Sequence, residues 1–196
     1  MRATIPIAPS DLESFFAWEE GQAERYELVG GIVRLMAGGT EDHDRISGNI
    51  FAALGVRLRG TPCSAHLSNP KVVSRATNAS MYPDVFVRCG PRQGGRTETD
   101  DPVTVFEVLS ESTAEFDLTR KRLAYEAIPT LRRIVYVSVR EARLAVRVRG
   151  EDDLWRDDTV EGLEAELVLP EIGLALPMAE IYEESDVAAA VASAGA

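Results

Sequence analysis

Glu107 constrains this chain more than any other residue, because it sits inside Val105-Phe106-Glu107-Val108-Leu109. The β-branched and apolar neighbours mark a strand that belongs in a core. A carboxylate buried alone there is costly, so the fold must bring Glu107 a cation or a metal. Two other segments offer the parts. Tyr82-Pro83-Asp84-Val85-Phe86-Val87 places a second carboxylate at the start of an apolar strand. Asp117, Lys121 and Tyr125 are spaced by four, which puts all three on one face of a predicted helix over 113–127.

The surrounding pattern predicts a mixed β-sheet flanked by helices. Ser10 and Glu13 read as a capping box opening a short helix. Tyr26–Val29 and Ile32–Met36 flank Gly30-Gly31 and read as a tight hairpin. Ile46, Ile50, Ala53, Leu54 and Leu58 keep helical spacing, which predicts a helix over about 42–59. Strand signals follow near 63–68 and 71–75, then over Met81–Arg88 and Val103–Leu109, with a polar glycine-rich loop between the last two. Thr113 is a plausible cap for the 113–127 helix, and Pro129 stands beyond its end. Leu131–Val139 and Ala142–Val148 read as strands, with further strands near 153–160 and 165–169. The unit at 103–139 runs strand, helix, strand, the mark of an α/β or mixed α+β fold.

Length and charge set the frame. The chain has 196 residues, which suits one domain, drawn as 1–185 with a core over about 9–150 and an acidic C-terminal extension over 151–185. The end, 186–196, reads as a frayed tail. No apolar run of membrane-spanning length and no signal-peptide pattern is present, so a cytoplasmic protein is expected. The two cysteines, Cys63 and Cys89, make no disulfide framework or zinc pattern and read as reduced thiols. A net charge of −11 sits badly with a phosphate-binding protein, but its distribution matters more. Residues 151–196 hold thirteen acids and one base, a balance of −12, which leaves +1 on residues 1–150. Arginines cluster just before that acidic segment, and Arg143, Arg147 and Arg149 alternate as a strand face, either a phosphate-facing stripe or a solvated face. The apolar stretch Ile172–Met178 and exposed strand edges allow a homodimer.

The chain has two lysines, Lys71 and Lys121, against nineteen arginines. A lysine retained against that bias suits a task that needs a compact point charge. Two carboxylates and a lysine fit metal-assisted phosphodiester cleavage. Hard oxygen ligands suit Mg²⁺, the ion polarises a phosphoryl oxygen and acidifies water, and the ammonium steadies developing negative charge. Strand-end acids paired with arginines would explain the same residues without chemistry.

Taken in order, the segments resemble the Uma-two family of restriction-endonuclease-like proteins, within the PD-(D/E)-x-K superfamily. The matching pieces are Arg25-Tyr26-Glu27-Leu28-Val29-x-Gly31, His43, Pro83-Asp84, Glu107-Val108-Leu109-Ser110-x-Ser112-Thr113 and Asp117-x-x-x-Lys121-x-x-x-Tyr125, over about residues 9–140. The resemblance implies a restriction-endonuclease-like fold with a central mixed β-sheet. It implies an Mg²⁺- or Mn²⁺-dependent endonuclease acting on DNA, with Asp84 and Glu107 as metal ligands. Leu109 stands where the superfamily usually carries its lysine, and the family's relocated lysine corresponds to Lys121. Glu27 matches an auxiliary acid that orients water, while His43, Asp117 and Tyr125 are further candidates. Glu111 and Gly30 depart from the family's usual proline and aspartate, and Arg133–Ser138 lacks its usual aromatic and aspartate pattern. A nuclease fold that binds or regulates without turnover is the alternative, motivated by the acidic C-terminal segment.

Overall fold

A computed structural model describes residues 9–36, 38–109 and 117–194. Helix α1 (Leu12–Glu19) opens the fold, and its cap is Asp11 in a reciprocal pair with Ser14, one residue later than the Ser10 and Glu13 pairing the sequence suggests. The hairpin forms as expected from β1 (Tyr26–Val29) and β2 (Ile32–Leu35), with Gly30 at φ +59° and Gly31 at φ +74°. A two-residue turn with both central residues left-handed matches the strands' twist, and glycine adopts it without strain.

Helix α2 (Glu41–Arg57) is capped by Thr40, whose hydroxyl accepts from the His43 N–H at 3.3 Å. Its Ile46, Ile50 and Leu54 are fully buried. Burial of side chains of this size contributes roughly 1.5–3 kcal/mol each. Strands β3 (Cys63–Leu67), β4 (Lys71–Ser74), β5 (Ala79–Met81), β6 (Val85–Cys89), β7 (Glu98–Thr99) and β8 (Pro102–Leu109) follow. A π-helical turn at Asp117–Lys121 leads into α3 (Arg122–Glu126), then β9 (Arg133–Ser138), β10 (Arg143–Arg149) and β11 (Trp155–Glu161). The chain ends with β12 (Glu166–Leu169), β13 (Leu174–Pro177), α4 (Met178–Ile181) and α5 (Asp186–Ala194).

The architecture is a mixed sheet flanked by helices. A six-stranded sheet runs β11-β10-β9-β8-β6-β3, with β8 and β9 parallel and the other neighbours antiparallel. A five-stranded sheet runs β2-β1-β5-β4-β7. One face of the larger sheet packs Phe106, Val108, Val85 and Val135 against α2 and the β12–β13 segment. The other face packs Phe86, Val105, Ile134 and Tyr136 against Val29, Val72 and Met81 of the smaller sheet and against Ala124 and Tyr125 of α3.

Several expectations need correction. The run Met81–Arg88 is two strands in two sheets, because Pro83 has no N–H for a ladder and the chain crosses between the sheets at Tyr82-Pro83-Asp84. Cys63 and Cys89 face each other in the β3–β6 register and form a disulfide, so they are not free thiols. Residues 186–194 form α5, with Val187 buried in the core, rather than a frayed tail. The segment 151–185 is built into the fold: Leu167, Leu169, Leu176, Met178, Ile181 and Tyr182 complete one core. Within Ile172–Met178, Leu176 and Met178 are fully buried and Ile172 and Leu174 pack, partly buried, against the same core. Nor do the β10 arginines form a free stripe. Arg147 is held between Glu126 and Asp157, each at 2.8 Å, Arg143 meets Glu161 at 3.3 Å, and Arg149 lies over Trp155 and bonds the Pro129 carbonyl. Thr113, Glu111 and the Ser110 to Thr113 stretch lie outside the described residues. Among the described residues no helix is long and apolar enough to cross a membrane.

Candidate metal and phosphodiester site

The crossover between the sheets brings the predicted residues together. Val85 faces Phe106, so Asp84 and Glu107, one step further in the antiparallel register, stand opposite each other. Glu107 alternates with Phe106 and Val108 and so points to the side where the smaller sheet and α3 pack. There it accepts the Tyr125 hydroxyl at 2.6 Å and the Lys121 ammonium at 3.2 Å, both on Oε1. The four-residue spacing of Lys121 and Tyr125 delivers both to one carboxylate, as a shared helical face requires.

Lys121 Nζ also lies 2.9 Å from Glu27 Oε1, so one ammonium bridges two carboxylates from different sheets. Lys121, Glu27 and Glu107 side chains are 7%, 8% and 4% exposed, which makes this a buried ionic cluster. Glu27 takes a second bond from the Tyr82 N–H at 2.7 Å, and Asp84 accepts the Val108 N–H at 2.7 Å. The two ends of the crossover are thus tied down by the same carboxylates that the sequence singles out. His43, in the first turn of α2, places Nε2 3.4 Å from Asp84 Oδ2. Its ring lies against Gly39, where a Cβ would come within 2.6 Å of Nδ1. Asp117 lies in the π-helical turn, and its side chain lies outside the described residues.

The sequence missed a second layer. The Tyr82 hydroxyl donates to Glu19 Oε1 at 3.1 Å, and Glu19 Oε2 pairs with Lys71 at 2.5 Å. Burial, reinforced by Glu19, pushes the Tyr82 phenol well above its ordinary range, so it stays a donor. Both lysines of the chain are therefore spent on buried glutamates, and Tyr82 links the two clusters. The scarcity of lysine was the available signal; no local pattern marks Tyr82, beside Pro83, as the residue that connects them.

The donor set fits a hard divalent cation. The carboxylates available to one are Asp84, Glu107 and Glu27, and both contacts of Asp84 fall on Oδ2, leaving Oδ1 without a hydrogen bond among the described residues. Among the described residues, however, no group of three or more His, Cys, Asp or Glu is already gathered as a metal cluster. The two observations are compatible for Mg²⁺, which keeps several waters and needs one or two carboxylates from the protein.

The model of the Uma2 family, described as "Putative restriction endonuclease", matches residues 12–179. The chain belongs to the Uma2 family. An uncharacterized Synechocystis protein is 30% identical to this Uma2 chain over 180 residues, covering 91% of it and 94% of the relative. A second uncharacterized Synechocystis protein is 24% identical over 152 residues, covering 76% of this chain and 86% of the relative. A crystal structure from Anabaena variabilis, described as a "putative nuclease belonging to DUF820", superposes with a TM-score of 0.72 at 15% identity, over 89% of this chain and 98% of that one. At that identity the likeness shows a shared fold and no more.

Proposed function

We propose that this Uma2 protein is a divalent-metal-dependent endonuclease that hydrolyses DNA phosphodiester bonds, with Asp84 and Glu107 holding Mg²⁺ or Mn²⁺. One observation carries the reading: a single lysine ammonium bridges two buried carboxylates beside Asp84. When bound, the ion supplies Lewis acidity toward a phosphoryl oxygen and a local positive charge. The protein's own groups do the rest. Lys121 is a fixed cation whose contacts with Glu27 and Glu107 hold it where negative charge develops during attack on phosphorus. Glu27, anchored by the Tyr82 N–H, accepts a hydrogen bond from the attacking water and orients it. The Tyr125 hydroxyl fixes Glu107 in one rotamer, and His43 does the same for Asp84. Water adds to phosphorus, the bridging P–O bond breaks, and the products are a phosphomonoester and an alcohol.

Cleavage of plasmid and oligonucleotide DNA in Mn²⁺ tests this directly. Asp84→Ala, Glu107→Gln and Lys121→Met are each expected to lower the rate by about a hundredfold or more, the usual scale for a lost electrostatic group. Cleavage that survives both Asp84→Ala and Lys121→Met would contradict the assignment. A second reading, a nuclease fold that binds without turnover, draws on the carboxylates already being satisfied by Lys121, Tyr125 and backbone N–H groups. It predicts DNA binding with no cleavage in any metal, and no change in affinity on Asp84→Ala.

A further inference from the structure

A second polar concavity lies beyond the carboxylate cluster, and the proposed chemistry does not use it. It is a cavity of about 230 Å³ whose wall includes Ser64, His66, Phe86, Arg88, Arg92 and Arg96. The His66 ring stacks on Phe86 at 4.9 Å and 17°, and its Nε2 meets the Ser64 hydroxyl at 2.9 Å. Three guanidinium groups line the space against one carboxylate, Glu98, which Arg75 holds at 2.8 Å.

The other acids of this corner sit outside the cavity wall. Asp101 takes Arg88 Nε and Nη2 at 3.1 and 2.7 Å, and Arg96 Nη1 at 3.2 Å. Asp100 takes Arg96 Nη2 at 2.9 Å. These bonds fix two guanidinium planes without using all their donors, since each guanidinium has five N–H groups. Arg92 is exposed and has no ion pair among the described residues. Burial foremost, then the Arg88 charge, pushes the His66 imidazole below its ordinary pKa. Arg88 is four residues beyond Asp84 along the same chain direction, a separation of about 13 Å at strand rise. That spans a few phosphates, since one strand of duplex carries a charge about every 3.4 Å of axis.

We propose that this arginine-lined cavity binds a backbone phosphate of the nucleic-acid strand, flanking the bond held at Asp84 and Glu107, with Arg92 as the free cation that closes on it. The inference rests on the nuclease reading for what lies at Asp84, but phosphate binding is measured apart from cleavage. The experiment is fluorescence anisotropy of a short labelled single-stranded oligonucleotide in EDTA, as a function of salt, with the full chain. Arg92→Ala is expected to weaken binding roughly fivefold and to lower the slope of log affinity against log salt by about one, the signature of one lost phosphate contact. Arg45→Ala, which removes the same charge from an exposed pair with Glu184 elsewhere, is expected to leave both quantities unchanged. Wild-type affinity in Arg92→Ala and Arg92→Glu overturns the proposal. So does equal weakening by Arg45→Ala, or a wild type that does not bind the strand. Metal binding by the wild type and Asp84→Ala is read in a separate titration, so an intact metal site beside a silent Arg92 removes the cavity's role and leaves the nuclease reading standing.

Discussion

At the scale of single residues, Lys121 decides what the cluster can be. Glu27 and Glu107 are buried and close enough to share one ammonium; without it, two carboxylates would repel each other in a poorly solvated space. Removing one partner of such a buried set typically costs about 3–5 kcal/mol, because the remaining charges lose their compensation. Gly39 matters for a different reason. Its missing side chain is what leaves room for the His43 ring beside Asp84. Gly39→Ala is therefore expected to move His43. The chain has two histidines, so imidazole signals in a two-dimensional NMR spectrum report on each. His43 should shift and His66 should not; an unchanged His43 signal would show that its ring is not packed on Gly39. The Lys121 and Tyr125 pairing was legible because helical spacing is rigid. The His43 contact was not, because it joins α2 to a sheet crossover and no local spacing encodes that distance.

At the scale of elements, the β7–β8 corner is held by charge. Arg88 foremost, then Thr99 and Arg96, hold the Asp101 carboxyl down at about 2, against desolvation that opposes them. An unfolded aspartate titrates near 3.9, so the contribution of this site is fully present above about pH 4 and is lost as pH falls toward about 2. Asp101→Asn should cost about 1 kcal/mol at neutral pH once solvent screening is allowed for. The gap to wild type should close across that acid window in urea unfolding; a gap that stays constant from pH 4 to 2 would place the stabilisation elsewhere. The elements themselves were readable to differing degrees. Helix α2 announced itself through Ile46, Ile50 and Leu54. The split at Pro83 was signalled by the proline but hidden by apolar residues on both sides. Strand β13 was missed, because Leu174–Pro177 is short and uniformly apolar, and an apolar run alone does not distinguish a core strand from a sticky surface. The Cys63–Cys89 bond needs the β3–β6 register, which two isolated cysteines cannot supply.

At the scale of the whole molecule, the acidic C-terminal segment is structure rather than appendage. Its Glu171 pairs with buried Arg133 at 2.9 Å and its Glu180 with Arg57 at 2.7 Å, while its apolar residues close the core over α2. Composition showed the charge imbalance but not that acids of residues 151–196 neutralise arginines of residues 1–150. The fold class was legible because strand and helix signals alternate through 103–139, and the ordered motif set added the family. What remains central is whether the carboxylates around Lys121 take a metal. The most direct measurement is a calorimetric titration of Mn²⁺ into the 196-residue chain, wild type against Asp84→Ala. Stoichiometric binding by the wild type that is lost in the variant is the predicted result. Binding of equal strength in both proteins would contradict the assignment of Asp84 as a ligand.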